Sequence, residues 1–434
     1  MFLRARALSL ACLAGCVGSG TVDPPASDGA AGGSADDPSE PPGDDAAPWG
    51  AASEAGPASD QPTSLADGGT CFEGAFTPLW GDLHVHLADH ETPTVCEYSA
   101  QAVLDEAQAR GLGFIGVTEH VWRTTAGELS TCEEAALASV TDSFRPHCGF
   151  ETNVVMADGS YSGHANALWA PSNHDTDASD ANGEDFAGAS GKQNLYAFID
   201  DGDAVGQINH PNHVEDGWPD RAAKFASGAI DLVELSGSCA GCADRDSAAV
   251  TTYLAFLDAG WRVGPSMNSD THCMKPGRRT GLWVADSIVK LGLRNHRSFV
   301  QNYDPPAGED NQLALFMRAD DADGATHACW TGSSLARPDG DAVLRIRLRG
   351  HMVTAAATGT IAMQVLAHGA GLDAPLATAV CGADGACTCD ADTCTWEPEV
   401  SAAGTDWLVA RVASEVEGNG RWAVSSPVWL ADAP

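Results

Sequence analysis

The sequence predicts an α/β domain of alternating strands and helices over residues 71–305, followed by a small β-sandwich over residues 306–434. Three observations predict it. Strand-like and helix-like runs alternate between residues 101 and 294, the pattern of a parallel sheet or barrel. Histidines and acids recur just past the ends of the strands: His84 and His86, His120, His210, Asp270 and His272. In a (β/α) barrel that edge carries the active site. From about Asn311 onward strands continue without a convincing long helix, as where Leu344, Ile346 and Leu348 alternate with Arg345, Arg347 and Arg349.

The chain has 434 residues, of which 44% are hydrophobic, enough for two or three domains with a real core. Its start reads as a processing segment. Arg4 and Arg6 precede an apolar run, Ala7 to Ala14, that is too short to span a bilayer. Leu13-Ala14-Gly15-Cys16 then looks like a bacterial lipobox, which makes residues 1–16 the signal and Cys16 the lipidated residue. An ordinary cleaved signal with a stray Cys16 is the alternative. The expected location is the bacterial cell envelope, lipid-anchored, on the periplasmic or extracellular face. Residues 17–70 are Gly, Ala, Ser, Pro and Asp with few large apolar side chains, and so read as a disordered tether.

Within the first domain, Trp80 to Val85 has strand character and is followed by His86. Gln101 to Arg110 reads as a helix, with Ser99 near its N-cap and Gly111 as its stop. Phe114 to Val117 is a strand closed by Thr118-Glu119-His120. Asn153 to Met156 and Ala165 to Trp169 look extended, and Lys192 to Asp200 helical. Ala204 to Asn209 is a strand closed by His210-Pro211, and Ile230 to Leu235 is another. A helix from Ala248 to Ala259 ends at Gly260. The strand Arg262 to Met267 is closed by Ser269-Asp270-Thr271-His272, and Asp286 to Arg294 is helical. In the second domain Thr360 to Leu366, Trp407 to Val412 and Trp422 to Leu430 read as strands.

His84 and His86 lie two apart, so on a strand both imidazoles point to one face. Such a pair is half of a divalent-metal site, or two hydrogen-bonded core histidines. Further histidines and an acid past three later strands favour the metal. Imidazoles with carboxylates suit Zn, Mn or Fe and need no thiolate. Two such ions generate a hydroxide near neutral pH and clamp the oxygens of a displacement, so hydrolysis is the natural chemistry.

The set Gly81-Asp82-Leu83-His84-Val85-His86, Thr118-Glu119-His120, Gly149-Phe150-Glu151, Gly163-His164-Ala165-Asn166, Asn209-His210-Pro211 and Ser269-Asp270-Thr271-His272 resembles the polymerase and histidinol phosphatase (PHP) superfamily. It is most similar to the exported, carbaryl-hydrolase-like (CehA/McbA-type) metallohydrolases. The resemblance covers about residues 78–300. It implies a distorted (β/α)7 barrel holding two or three divalent ions. His84 and His86 would then bind the first metal, joined by Asp270, and Glu151 would bridge metals. His164 and His210 would serve the second metal, His120 and His272 the third. The family's further Asp or His after the first pair is best matched by Glu91, with Asp89 and His90 as rivals. Glu119 replaces the family's common Asp, a change expected to lie outside the ligand shell. Asp270, His272 and Glu151 are the expected catalytic residues.

Lys275, Arg278 and Arg279 follow that last motif in a chain with 23 basic and 60 acidic residues. They read as a substrate anion clamp or as a solvated loop. The formal net charge of -37 argues against nucleic acid and anionic membrane surfaces as partners. Of 14 cysteines, Cys12 leaves with the signal and Cys16 would be lipidated. The remaining even number in an exported protein reads as disulfides. For Cys239-Ala240-Gly241-Cys242 that reading is preferred to a thioredoxin-like pair. For Cys381, Cys387, Cys389 and Cys394 it is preferred to zinc. His90 and His213 are candidates to line the pocket, whereas His147, His174, His296, His327, His351 and His368 read as packing or surface residues. The leading expectation is a membrane-anchored, metal-dependent phosphoesterase acting on a small molecule. Ester, carbamate or amide hydrolysis by the same site is the alternative. A non-catalytic metal- or glycan-binding lipoprotein is the reading from a different class.

Overall fold

In the computed structural model the residues described are 57–432 except 89–97, 122–123, 156–160, 171–194, 196–197, 201–202, 212–227, 236–244, 273–275, 278, 286–287, 303–309, 321–323, 354–360, 383–384 and 415–419. Cys16, the signal, most of the tether, Glu91, Lys275 and Arg278 therefore lie outside the described residues, as do Cys96, Cys239, Cys242 and Cys273. So do His90 and His213.

Two short strands, β1 (Thr63–Ser64) and β2 (Thr70–Cys71), precede β3 (Thr77–Val85). Strands β4 (Phe114–His120), β5 (Arg145–Val155), β6 (Tyr161–Leu168), β7 (Val205–Asn209), β8 (Ile230–Glu234) and β9 (Gly264–Ser266) follow. They pair in chain order. The pairs β3–β4, β4–β5, β7–β8 and β8–β9 are parallel, whereas β6 runs antiparallel to both β5 and β7. Beyond β9 a parallel bridge joins Thr271 to Val85, so the last strand's continuation returns to the first. Gly81 is required where β3 meets β4: a Cβ there would sit 2.3 Å from the Phe114 carbonyl oxygen.

Among the described residues the fold is mixed α/β and mostly strand, and at β6 it departs from the strand–helix alternation that the sequence suggests. Among the described residues the named helices are α1 (Ala100–Ala109), α2 (Ala126–Ser139), α3 (Arg245–Asp258) and α4 (Val289–Arg294). The physical reason is connection length. A parallel crossover needs a dozen or so residues, and only 156–160 separate β5 from β6. That link permits only an antiparallel return.

The helices form where caps and apolar faces agree. Ser99 caps α1 by accepting from the Ala102 N–H, and Val103, Leu104 and Ala107 bury one face. Each fully buried Val or Leu contributes about 1.5–3 kcal/mol. Helix α2, which no sequence pattern above predicts, starts at a capping box: the Glu128 N–H donates to Thr125 Oγ1, and Glu128 Oε2 accepts from the Thr125 N–H.

Strands β10 (Thr280–Val284) and β11 (Ser298–Gln301) extend the sheet from the other edge of β3. The rest is nearly all strand: β12 (Gln312–Asp320), β13 (Thr326–Trp330), β14 (Ser334–Ala336), β15 (Asp341–Arg349), β16 (Ile361–Ala367), β17 (Ala377–Cys381), β18 (Cys387–Cys389), β19 (Thr393–Trp396), β20 (Glu399–Ser401), β21 (Trp407–Ser414), β22 (Trp422–Ser425) and β23 (Val428–Ala431). Strands β12, β13, β15, β18, β19 and β20 make a second sheet. The others continue the first sheet, because β22 pairs with β11. One apolar core, including Trp80, Trp283, Phe299, Trp330 and Leu408, spans both.

Residues 57–70, within the stretch read as a tether, are part of this fold. Asp60 forms an ion pair with Arg297, whose side chain is fully buried, and the guanidinium lies over the rings of Phe76 and Phe72 at 4.5 and 5.2 Å. Disulfides join Cys71–Cys329, Cys132–Cys148, Cys381–Cys387 and Cys389–Cys394. The last two replace any zinc reading of those four cysteines. No helix among the described residues is long and apolar enough to cross a membrane.

Candidate metal centre

The strands deliver their polar ends to one place. His84 and His86 lie at the end of β3 and are fully buried. His120 ends β4, and the parallel register sets it beside Glu151 of β5. The antiparallel pairings then put His164 of β6 opposite Asn153 of β5 and Asn209 of β7. His210 follows β7, and Asp270 and His272 follow β9.

Glu151 is the hub. Its Oε1 lies 3.2 Å from His84 Nε2, 3.0 Å from His164 Nδ1 and 3.5 Å from His210 Nε2. Its Oε2 lies 2.9 Å from His120 Nδ1 and 3.5 Å from His86 Nε2. Asp270 Oδ1 faces His84 Nε2 at 3.4 Å and His86 Nε2 at 3.3 Å. The rings of His86 and His272 stack, with centroids 4.2 Å apart. The donors form three close groups: His84, Glu151 and His210; His84, His86 and Asp270; His86, His120 and His272. All eight described candidate ligands thus converge, Glu91 being outside the described residues.

These donors fit a divalent first-row ion. In a tetrahedral shell with bonds of about 2.0–2.1 Å, ligand atoms sit about 3.3 Å apart. His84 Nε2, His86 Nε2 and Asp270 Oδ1 are 3.1, 3.3 and 3.4 Å apart. Two imidazole nitrogens this close, facing shared carboxylates, could present lone pairs to a common cation. Burial pushes the Glu151 carboxyl up, but His84, His120 and His164 outweigh it and hold it well below the usual range. Burial likewise pushes His84 down, and Glu151 and Glu234 hold it well above its ordinary value. The cluster therefore draws positive charge, as protons or as metal.

Two of the five described non-glycine residues with positive φ are His210 (φ 28°) and Asp270 (φ 48°). Such backbone clusters at functional sites. Glu119 lies behind His86: Oε1 is 3.5 Å from His86 Nδ1, and Oε2 accepts the Leu87 and Ala88 N–H groups. Burial raises it, but His86 dominates and lowers it to about 2. Arg279, the one described member of the basic loop, is half-buried, and its Nε has no hydrogen-bond partner among the described residues.

Sequence reasoning missed Glu234, Asp82, Asn209 and Asn268. Glu234 ends β8, the one strand whose terminal acid was not weighed; it lies 3.3 Å from His84 Nδ1. Asp82 was quoted in a motif without a role. Its carboxylate accepts the N–H groups of His84, Ser269 and Gly277 and ties the Asp270 loop to β3. Asn209 donates to Glu151 Oε1 at 2.8 Å. Of the other histidines, His174 lies outside the described residues with His90 and His213, and His147 is buried and stacked on Trp169, where burial lowers it to about 3.

No protein-family model and no curated protein matches the chain. Among solved structures it is similar to endonuclease Q in complex with a 27-mer duplex carrying an abasic lesion at the active site. The identity is 17% and the TM-score 0.28, over 48% of this chain and 53% of the other, so the chain spans about half that protein's length. Likeness at that level carries no argument about activity. The expectation of no nucleic-acid partner is corrected by this finding, since the similar structure holds duplex DNA.

Proposed function

We propose that this chain is an exported metal-dependent hydrolase of PHP type, most similar to the CehA/McbA-like branch, acting on a small phosphoester. The observation that carries the reading is the convergence of His84, His86, His120, Glu151, His164, His210, Asp270 and His272, with donor separations that suit a metal shell. His84, His86 and Asp270 would hold one ion, His164 and His210 a second, and His120 and His272 a third where present, with Glu151 shared. Zn, Mn or Fe fits this donor set. Bound ions of this kind supply Lewis acidity and lower the pKa of water. Asp270 and Glu151 supply the negative charge that keeps dications close together, and the buried histidines fix the donor positions. Arg279, with Lys275 and Arg278, would orient the substrate anion; the buried Arg279 Nε supports that role.

The run of strands β3 to β9, returning at the Val85–Thr271 bridge, supports a distorted (β/α)7 barrel. We assign 71–305 to this metallohydrolase part and 306–434 to a β-sandwich built onto it. The four disulfides among the described residues support an oxidising compartment. The Cys16 lipobox would anchor the chain to the envelope; Cys16→Ser should shift it from the detergent to the aqueous phase, and unchanged partitioning would remove the anchor.

The test is a substrate screen with metal-loaded protein. Phosphate mono- and diesters should turn over faster than aryl esters, carbamates or amides. A preference for neutral esters would move the function to carboxylic ester or carbamate hydrolysis. No turnover on any class, with metal bound, would favour a binding protein.

A further inference from the structure

We infer that Glu234 is a positioning residue that organises three metal-ligating segments from behind, an inference that rests on the metal-centre reading above. Its side chain is buried, at 1% exposure, and its two oxygens serve three segments. Both oxygens lie 3.3 Å from His84 Nδ1. A carboxylate at Nδ1 holds the proton on that nitrogen and leaves the Nε2 lone pair facing Glu151 and Asp270. The same Oε2 accepts the main-chain N–H of His210 at 2.8 Å. His210 has a φ of 28°, a backbone state that a non-glycine residue holds only when its surroundings fix it. Oε1 accepts from Asn268 Nδ2 at 3.0 Å, and Asn268 Oδ1 accepts the Leu83 N–H at 2.8 Å. Asn268 stands two residues before Asp270. One carboxylate thus sets the tautomer of one ligand, the backbone of a second and the root of the loop bearing a third and fourth.

Glutamine at 234 has the same shape, but one oxygen becomes an NH2 donor. It cannot accept from His84, His210 and Asn268 together. Glu234→Gln should therefore weaken metal binding about 10–100-fold, the range found for partners just outside a ligand shell. The measurement is competition of the full chain with a chromogenic chelator for Zn(II), alongside the visible spectrum of the Co(II)-loaded protein. The spectrum reports ligand geometry, which a merely structural role would not move. Expected are weaker affinity and a shifted Co(II) spectrum at unchanged far-UV circular dichroism. If Glu234→Gln lost its fold, Asn268→Ala is the second variant, and it should shift the Co(II) spectrum through the loop alone. Wild-type affinity and spectrum in the Gln variant would overturn the inference while leaving the metal centre intact. A wild-type chain that binds neither Zn(II) nor Co(II) would overturn both.

Discussion

At the scale of single residues, burial without a full partner makes stability depend on pH. Asp231 is buried in β8, and its Oδ2 accepts the Gly206 N–H at 3.1 Å. Burial raises its carboxyl from 3.8 to about 7. The folded state thus holds this proton more tightly than the unfolded chain does. Its contribution to stability is complete below pH 3.8 and is lost as the pH rises through about 7. Asp231→Asn should match the wild type near pH 4 and be more stable than it at pH 8, as measured by urea unfolding at both values. Equal stability at pH 8 would refute the shift. At the site, Arg279→Ala should raise KM for a phosphoester by about tenfold, the scale of one charge-assisted hydrogen bond, and change KM for a neutral ester much less. Equal effects on both substrates would count against the clamp. His84, His86, His120, His210, Asp270 and His272 were legible as candidates because a His or acid close to a strand end carries its own signal, whereas Glu151 and His164, which lie inside β5 and β6, entered only through the resemblance. Glu234 and Asp82 were not legible, because their roles depend on partners up to 195 residues away, brought in by the fold.

At the scale of elements, the strap of residues 57–76 carries more than its composition suggests. A tether was predicted because Gly, Ala, Ser, Pro and Asp bury little surface. Composition does not show that Asp60 meets a buried guanidinium, nor that Asn295 Nδ2 donates to the Asp60 carbonyl at 2.8 Å. Asp60→Ala leaves Arg297 buried without its carboxylate and should destabilise the fold by about 3–5 kcal/mol. Chemical unfolding measures this, and a loss near zero would show the pair to be dispensable. β4, β7, β8 and β9 were read to within a few residues, since apolar runs mark them, but β5 was read only as Asn153 to Met156 although it runs from Arg145 to Val155. Helix α2 escaped notice although Thr125-Ala126-Gly127-Glu128 is a capping-box signature, because its apolar face is weak. Strands β10 and β11 were hidden by their glycine and serine. The reversal at β6 is carried by a short connection, residues 156–160, whereas the strand–helix alternation around it suggests a parallel crossover.

At the scale of the whole molecule, the two sheets share one core, and a disulfide closes residues 71 to 329. A loop of 258 residues closed in this way restricts the unfolded chain by up to about 5 kcal/mol. Alkylation of unreduced protein, read by intact mass, should leave Cys71, Cys132, Cys148, Cys329, Cys381, Cys387, Cys389 and Cys394 unlabelled; labelling of most of them would place the chain in a reducing compartment. The candidate metal site depends on this framework only indirectly, since most of its candidate ligands stand at or just past strand ends. Asp270→Asn keeps size and shape but removes a charge 3.3 Å from His86 Nε2. The most direct test of the central claim is therefore the metal content of the full chain, wild type and Asp270→Asn, with circular dichroism and turnover on the same preparations. The wild type should carry at least two equivalents of a first-row divalent metal. The variant should keep its fold, lose bound metal and fall in kcat by orders of magnitude. A wild-type chain that neither purifies with metal nor takes it up, or an Asp270→Asn chain with normal metal and turnover, would contradict it.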